Sequence, residues 1–290
     1  MTRATSATRL GALVAALAVL ASGCGSPATT ASPAPVPYAG PLTVPPTPGR
    51  DLWEDPGAAG EVTDCDSGVI GGSSTNPFTG GEVGSTPQDA LRESHDEGGW
   101  DGLVDRMQVV REEPDRVLYA YAVQGRVKQA VVVHHGPAAE GTGAGEDGMA
   151  WWVESWARCD LAEYPAEVAA SLDYQVWTDA AGRRLPIRTI VSYPGGDCVP
   201  GTTFLELGRG SDDPDGRQVY VAHGEDFPDH FAEAYRTDLP LPADAADAVD
   251  TGYTHDGDRL WLSPGGERAY VGSGDRVDLW PRAVQELGCA

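Results

Sequence analysis

The sequence predicts an α+β fold, mostly antiparallel β-sheet with short helices. Two observations carry this. Short runs rich in Val, Tyr and Trp recur between Gly, Pro and Asp turn signals, the pattern of antiparallel meanders. Helical patterning is confined to brief stretches near residues 87–97 and 227–235. A third observation, four cysteines that fall two to each half, raises two related disulfide-stapled modules, 51–165 and 166–290, as a candidate organisation.

Arg3 and Arg9 give the chain a positive start, and Leu10–Ala21 is an uncharged apolar run of 12 residues. A helix needs about 20 residues to cross a bilayer core, so this run reads as part of an export signal. It ends in Ala21-Ser22-Gly23-Cys24, which resembles the lipobox of bacterial lipoproteins, with Ala21 where Leu or Val is usual. In that reading residues 1–23 are removed and Cys24 carries a diacylglycerol. The other reading is plain secretion, with cleavage after a small residue such as Ala21 and no lipid. Cysteine parity favours the lipid: five cysteines leave one thiol over, and Cys24 is the one outside the folded region. Each buried methylene contributes about 0.8 kcal/mol of membrane affinity, so such an anchor is effectively permanent. Residues 24–50, rich in Pro, Thr and Ala, read as a disordered stalk.

The charge balance narrows the partners. There are 20 basic and 44 acidic residues, and removal of residues 1–23 leaves a formal charge near −26. Such a surface repels phosphate backbones, which excludes nucleic acid as an expected partner. It repels anionic headgroups as well, so the membrane is a partner only through the lipid on Cys24.

Within 51–165, residues 51–84 read as Gly-rich and irregular around Cys65. Thr86-Pro87-Gln88-Asp89 then opens a helix over about 87–97, with Thr86 as cap, Pro87 in the first turn and Asp89 placed to reach the free amides. Strands are predicted over 106–111, 116–124, 126–134 and 149–158. Within 166–290, strands are predicted near 173–178, 184–193, 202–207 and 217–222. A short helix is expected around 227–235, followed by a hairpin-rich meander to the end. Residues 152–161 and 270–279 echo one another, which either duplication of a module or chance similarity of strand ends explains. The four cysteines allow three pairings. The favoured one joins Cys65 to Cys159 and Cys198 to Cys289, spans of 94 and 91 residues.

Chemical motifs are sparse. No Gly-x-Ser-x-Gly elbow occurs, and there is no Cys-x-x-Cys or spaced His pair, so neither cofactor nor metal is expected. His134 and His135 lie together on a strand and should point to opposite faces. His223, His230 and His255 read as solvated, and the acidic turns read as hairpins rather than calcium loops. The most suggestive surface is AWWVESWAR. Alternation would place Trp152, Glu154, Trp156 and Arg158 on one face, a platform for a sugar or peptide. The competing reading has the tryptophans covering the first helix and Glu154 paired to an arginine.

The segments WTDAAGRRLP (177–186), the cysteine before TTFLEL, LPADAADAVDTGYTHDGDRLWLSP (241–264) and DLWPRAVQELGCA (278–290) carry a resemblance. They are similar to a set of secreted or lipid-anchored actinobacterial envelope proteins of no assigned activity. The resemblance implies an envelope protein and carries no catalytic residues. The function expected is therefore non-enzymatic binding or scaffolding outside the cytoplasmic membrane, with a cell-wall glycan or an envelope protein as candidate partner. The alternatives are an extracytoplasmic hydrolase acting on cell-wall or secreted substrates and a solute-binding lipoprotein.

Overall fold

The run RVLYAYAV is apolar at almost every position, and the structure shows why strict alternation is missing. The computed structural model describes residues 37–75, 83–94, 101–138, 147–196, 199–209, 216–222, 233–240 and 247–284. In it, this run lies inside a sheet covered on both faces. Val117, Tyr119 and Tyr121 enter one hydrophobic cluster, while Leu118 and Ala120 enter another on the opposite face. A strand buried on both sides has no reason to alternate.

That first sheet contains β1 (Val69–Ser73), β2 (Gln108–Glu113), β3 (Arg116–Val123), β4 (Arg126–Pro137) and β5 (Met149–Cys159). Its strand order is β1-β5-β4-β3-β2, antiparallel throughout. Gln124 and Gly125 take positive φ of 54° and 82° in the two-residue turn from β3 to β4, the requirement that a side-chain-free residue meets most cheaply. One face is covered by α1 (Gly57–Val62), whose Ala58 and Ala59 are buried among Leu118, Ala130, Val132 and Ala157. The other packs on α2 (Pro87–Glu93) and α3 (Ala166–Ser171) through Ala90, Leu91, Val168 and Ala169.

Two expectations change here. Residues 51–75, expected to be irregular, hold α1 and β1, the latter formed by pairing of Val69–Ser73 with Cys159–Ser155. The stalk does not extend to residue 50, because Leu42 is buried and Tyr38 and Val44 pack beside it against Leu118 and Ala120. Leu42 and Val44 supply the apolar area that the proline count masked. The start of α2 is built as expected: Thr86 Oγ1 accepts from Asp89 N, and the Asp89 carboxylate reaches back to the Thr86 backbone amide and also accepts from the Ser85 hydroxyl.

The remaining strands form two further antiparallel sheets. A four-stranded one, β6-β7-β8-β9, is built from Gln175–Val176, Ile190–Pro194, Thr203–Leu207 and Gln218–Ala222. A five-stranded one consists of β10 (Arg236–Pro240), β11 (Val249–His255), β12 (Asp258–Leu262), β13 (Arg268–Ser273) and β14 (Arg276–Pro281). Its order is β10-β14-β13-β12-β11. Trp177, Ile190, Leu205 and Tyr220 of the four-stranded region pack on Leu260, Ala269, Val271 and Trp280 of the five-stranded sheet. The cluster under α2 and α3 also takes in Val176, Ile187 and Val191, so it crosses the boundary expected at 165/166.

The predicted strands near 173–178 and 184–193 are shorter than expected. A tight turn at Asp179–Gly182 occupies the gap, with Asp179 accepting from the amides of Ala181 and Arg183. The segments that echo in sequence fold differently: residues 152–159 are one strand, whereas 270–279 bends from β13 into β14. Cys65 and Cys159 form a disulfide with Cα atoms 5.2 Å apart, tying the approach to β1 to the end of β5. Cys24, Cys198 and Cys289 lie outside the described residues, as do residues 227–232 of the helix expected around 227–235, whose residues 233–235 are not helical, and α2 stops at Glu93 with Ser94 as its cap. Among the described residues no helix is long and apolar enough to cross a membrane.

Candidate functional site

The AWWVESWAR strand does not make the expected platform. Val132 pairs with Ser155 and Val133 with Val153, so Glu154 is an extra residue, a β-bulge that shifts the alternation by one. Trp156 therefore shares a face with Trp151 and Val153 against the α2–α3 cluster. Trp152 is on the opposite face, only 3% exposed, with His134 edge-on at 5.1 Å. Glu154 accepts from Arg116 Nε at 2.7 Å, as the competing reading expected. Arg158, opposite Gln129 in the ladder, has its Nε buried without a hydrogen-bond partner.

What replaces the platform is a packed ionic and aromatic cluster of Asp115, Arg116, His134, Trp152 and Glu154. Arg116 bridges Glu154 and Asp115, and this pairing pushes its pKa up. Burial and the Arg116 charge hold the His134 imidazole below its usual range, so it is neutral at pH 7. His135 packs on Trp151 with ring centroids 4.9 Å apart, so the two histidines do lie on opposite faces. The cluster is closed, and its one surplus is the pair of buried unpartnered atoms His134 Nδ1 and Trp152 Nε1.

The open site lies elsewhere, and chain geometry builds it step by step. α3 ends at Ser171 with Leu172 as its cap, and Asp173 takes a positive φ of 60° with its amide bonded to Ala170 O and that of Tyr174 to Ala169 O. This reversal delivers Tyr174 and Gln175 into β6. Thr178 then bridges to Thr254 of β11 by both backbone bonds and a hydroxyl pair at 2.8 Å. The Asp179–Gly182 turn returns the chain so that Arg184 lies beside Thr178 and donates to Tyr164 O. The β11–β12 turn supplies His255 and Asp256. These elements enclose a cleft of about 590 Å3, lined by Tyr174, Gln175, Thr178, Arg184, His255 and Asp256 among others. That volume lies within the range of small-molecule sites.

The polar groups are held in fixed orientations. Trp177 Nε1 donates to Ser192 Oγ at 2.8 Å, which leaves the Ser192 hydrogen for Gln175 Oε1, also at 2.8 Å. Trp177 and Ser192 are buried, so the relay turns Gln175 with its oxygen engaged and its amide N–H groups left over. His255 Nδ1 lies 3.2 Å from Val176 O and its Nε2 3.5 Å from Asp256 Oδ2, so the ring is held between a backbone carbonyl and a carboxylate. Desolvation pulls the Arg184 pKa down against the opposing charges of Asp160 and Glu167, neither of which lies within ion-pairing distance. Next to the cleft, Glu206 is fully buried between Arg217 and Arg209, and Arg209 covers the Tyr174 ring. Burial and Glu206 push Tyr193 up to about 12.

Sequence reasoning missed this cleft and took His255 for a solvated residue; it is half-buried against Trp177. The available signal was WTDAAGRRLP, a tight turn flanked by Trp177 and Arg184. Comparison with protein-family models, curated proteins and solved structures finds no match.

Proposed function

We propose that this is an exported, lipid-anchored binding protein of the cell envelope, attached through Cys24, that takes a small polar ligand in the cleft between α3, β6 and the β11–β12 turn. The observation that carries the binding reading is the Trp177–Ser192–Gln175 relay, which fixes the Gln175 side chain in the lining of a cleft of ligand size. Pre-orientation lowers the entropic cost of binding. The Thr178 and Thr254 hydroxyls bond each other, a positioning role rather than that of nucleophiles. On the same reading Cys198 and Cys289 form a second disulfide, since an exported chain meets an oxidising space. The shared strand order of the two five-stranded sheets supports two related modules.

Ala170 is exposed on α3 and lines the cleft, so Ala170→Trp fills the space without entering the core. Native mass spectrometry of the full-length protein after incubation with a cell-envelope extract reads the outcome. Wild type retains a small molecule and Ala170→Trp loses it; equal retention removes the cleft as the site. Fatty-acyl mass on the amino-terminal peptide at Cys24 checks the anchor, and an unmodified thiol contradicts it.

A further inference from the structure

We infer that the ligand of the cleft is a small zwitterion, an amino acid or short peptide, with its carboxylate on Arg184 and its ammonium facing the rim carboxylates Asp173 and Asp256. The inference rests on the cleft being the binding site and adds the ligand's chemistry.

Three observations combine. Arg184 is the single Lys or Arg of the lining, its side chain is half-buried, and a backbone carbonyl is its hydrogen-bond partner. Asp160 and Glu167 act on this partly desolvated guanidinium only from beyond ion-pairing distance, so a ligand anion in contact gains an ion pair, and the planar fork suits a carboxylate. Beside it, Gln175 offers amide donors that the Ser192 bond leaves over. The second observation is the rim. Asp173 and Asp256 are exposed at the ends of α3 and β11, both with left-handed backbone that fixes where the carboxylates emerge. The third is the whole-chain charge of −24, a field that repels a net anion before it reaches Arg184. A ligand with one negative end for Arg184, one positive end for the rim and no net charge meets all three conditions.

The test is calorimetry on the full-length protein with L-alanyl-L-alanine, its carboxy-terminal amide and its N-acetyl form. Wild type binds the dipeptide at least tenfold more tightly than the amide and several-fold more tightly than the N-acetyl form. Arg184→Gln abolishes the preference over the amide and leaves that over the N-acetyl form. Asp256→Asn does the reverse, and Arg184→Lys restores part of the first preference. A general structural fault would weaken all three probes together, so these crossed preferences separate recognition from stability. If Arg184→Gln fails to fold, the comparison of the three probes on wild type still decides.

Equal affinity for dipeptide and amide, or no binding of the dipeptide, overturns the inference. The cleft reading is separable by a fourth probe, uncharged N-acetylglucosamine. If that sugar binds wild type but not Ala170→Trp while the dipeptide is ignored, the cleft stands and the zwitterion falls. If Ala170→Trp alters the binding of no probe, both fall.

Discussion

The two five-stranded sheets share one strand order and differ in how that order is held. In each, four consecutive strands form a meander, and an earlier strand returns to pair with the last of them: β1 with β5, and β10 with β14. The first sheet is buried on both faces by two clusters and pinned by the Cys65–Cys159 bridge. The second packs one face on the four-stranded sheet and closes the other with a smaller group, Trp261, Tyr270, Val277 and Leu279. Strand order alone therefore does not fix stability; the depth of cover and the covalent tie do. One device is common to both. Arg126 at the start of β4 grips Asp64 and Asp66 ahead of β1, and Arg276 of β14 grips Asp238 of β10.

The largest way to break the comparison is to cut the bridge. Cys65→Ala with Cys159→Ala removes the constraint on a 94-residue span. The chain-entropy relation sets the cost at about 4–5 kcal/mol. Urea unfolding is expected to show that loss, and hydrogen exchange should rise at β1 while β10 keeps its protection. An unchanged midpoint would place the hold on β1 in packing alone.

A core substitution on each side comes next. Leu118 and Leu279 are both fully buried, in the larger-covered and smaller-covered faces respectively. Leu118→Ala is expected to cost about 4 kcal/mol and Leu279→Ala about 2–3 kcal/mol, because the smaller cluster can collapse further into the gap. Equal losses in chemical denaturation would show that the two faces are equally rigid.

How much of this was legible depends on whether a feature is local. The meander from β2 to β5, the Thr86 cap and the Cys65–Cys159 pairing were readable, because runs such as RVLYAYAV and the cap residues carry their own signal. β1 was not, since Val69-Ile70-Gly71-Gly72 is a strand only because β5 offers an edge. Gly71 is required there by close approach: a Cβ on it would sit 2.3 Å from Trp156 O. The bulge at Glu154 was equally hidden, for it is set by the count of residues on β4 rather than by β5 itself. The cleft gathers Gln175, Arg184 and His255 from three separate stretches, and no periodicity links them.

The smallest expected effect is a pH response that the two sheets share. Hydrogen bonds from Arg126 hold the Asp64 and Asp66 carboxyls below their ordinary value, and Arg276 does the same for Asp238. A depressed folded-state pKa contributes stability above the unfolded value near 4, and that contribution is lost as pH falls through the depressed values. Acid titration followed by NMR should find all three carboxylates protonating late. Amide exchange at Asp64–Asp66 and at β10 should accelerate together below about pH 4. Acceleration at one sheet alone would mean that the tie is not common to both.

The account's central claim is that ligand enters the cleft beside Arg184 and leaves the closed Trp152–His134 cluster untouched. Side-chain NMR of the full-length protein, titrated with L-alanyl-L-alanine, tests it most directly. The account predicts shifts at Arg184 Nε, the Gln175 amide and the His255 ring, with the Trp152 indole and His134 ring unmoved. Shifts at Trp152 and His134 with none at Arg184 would contradict it.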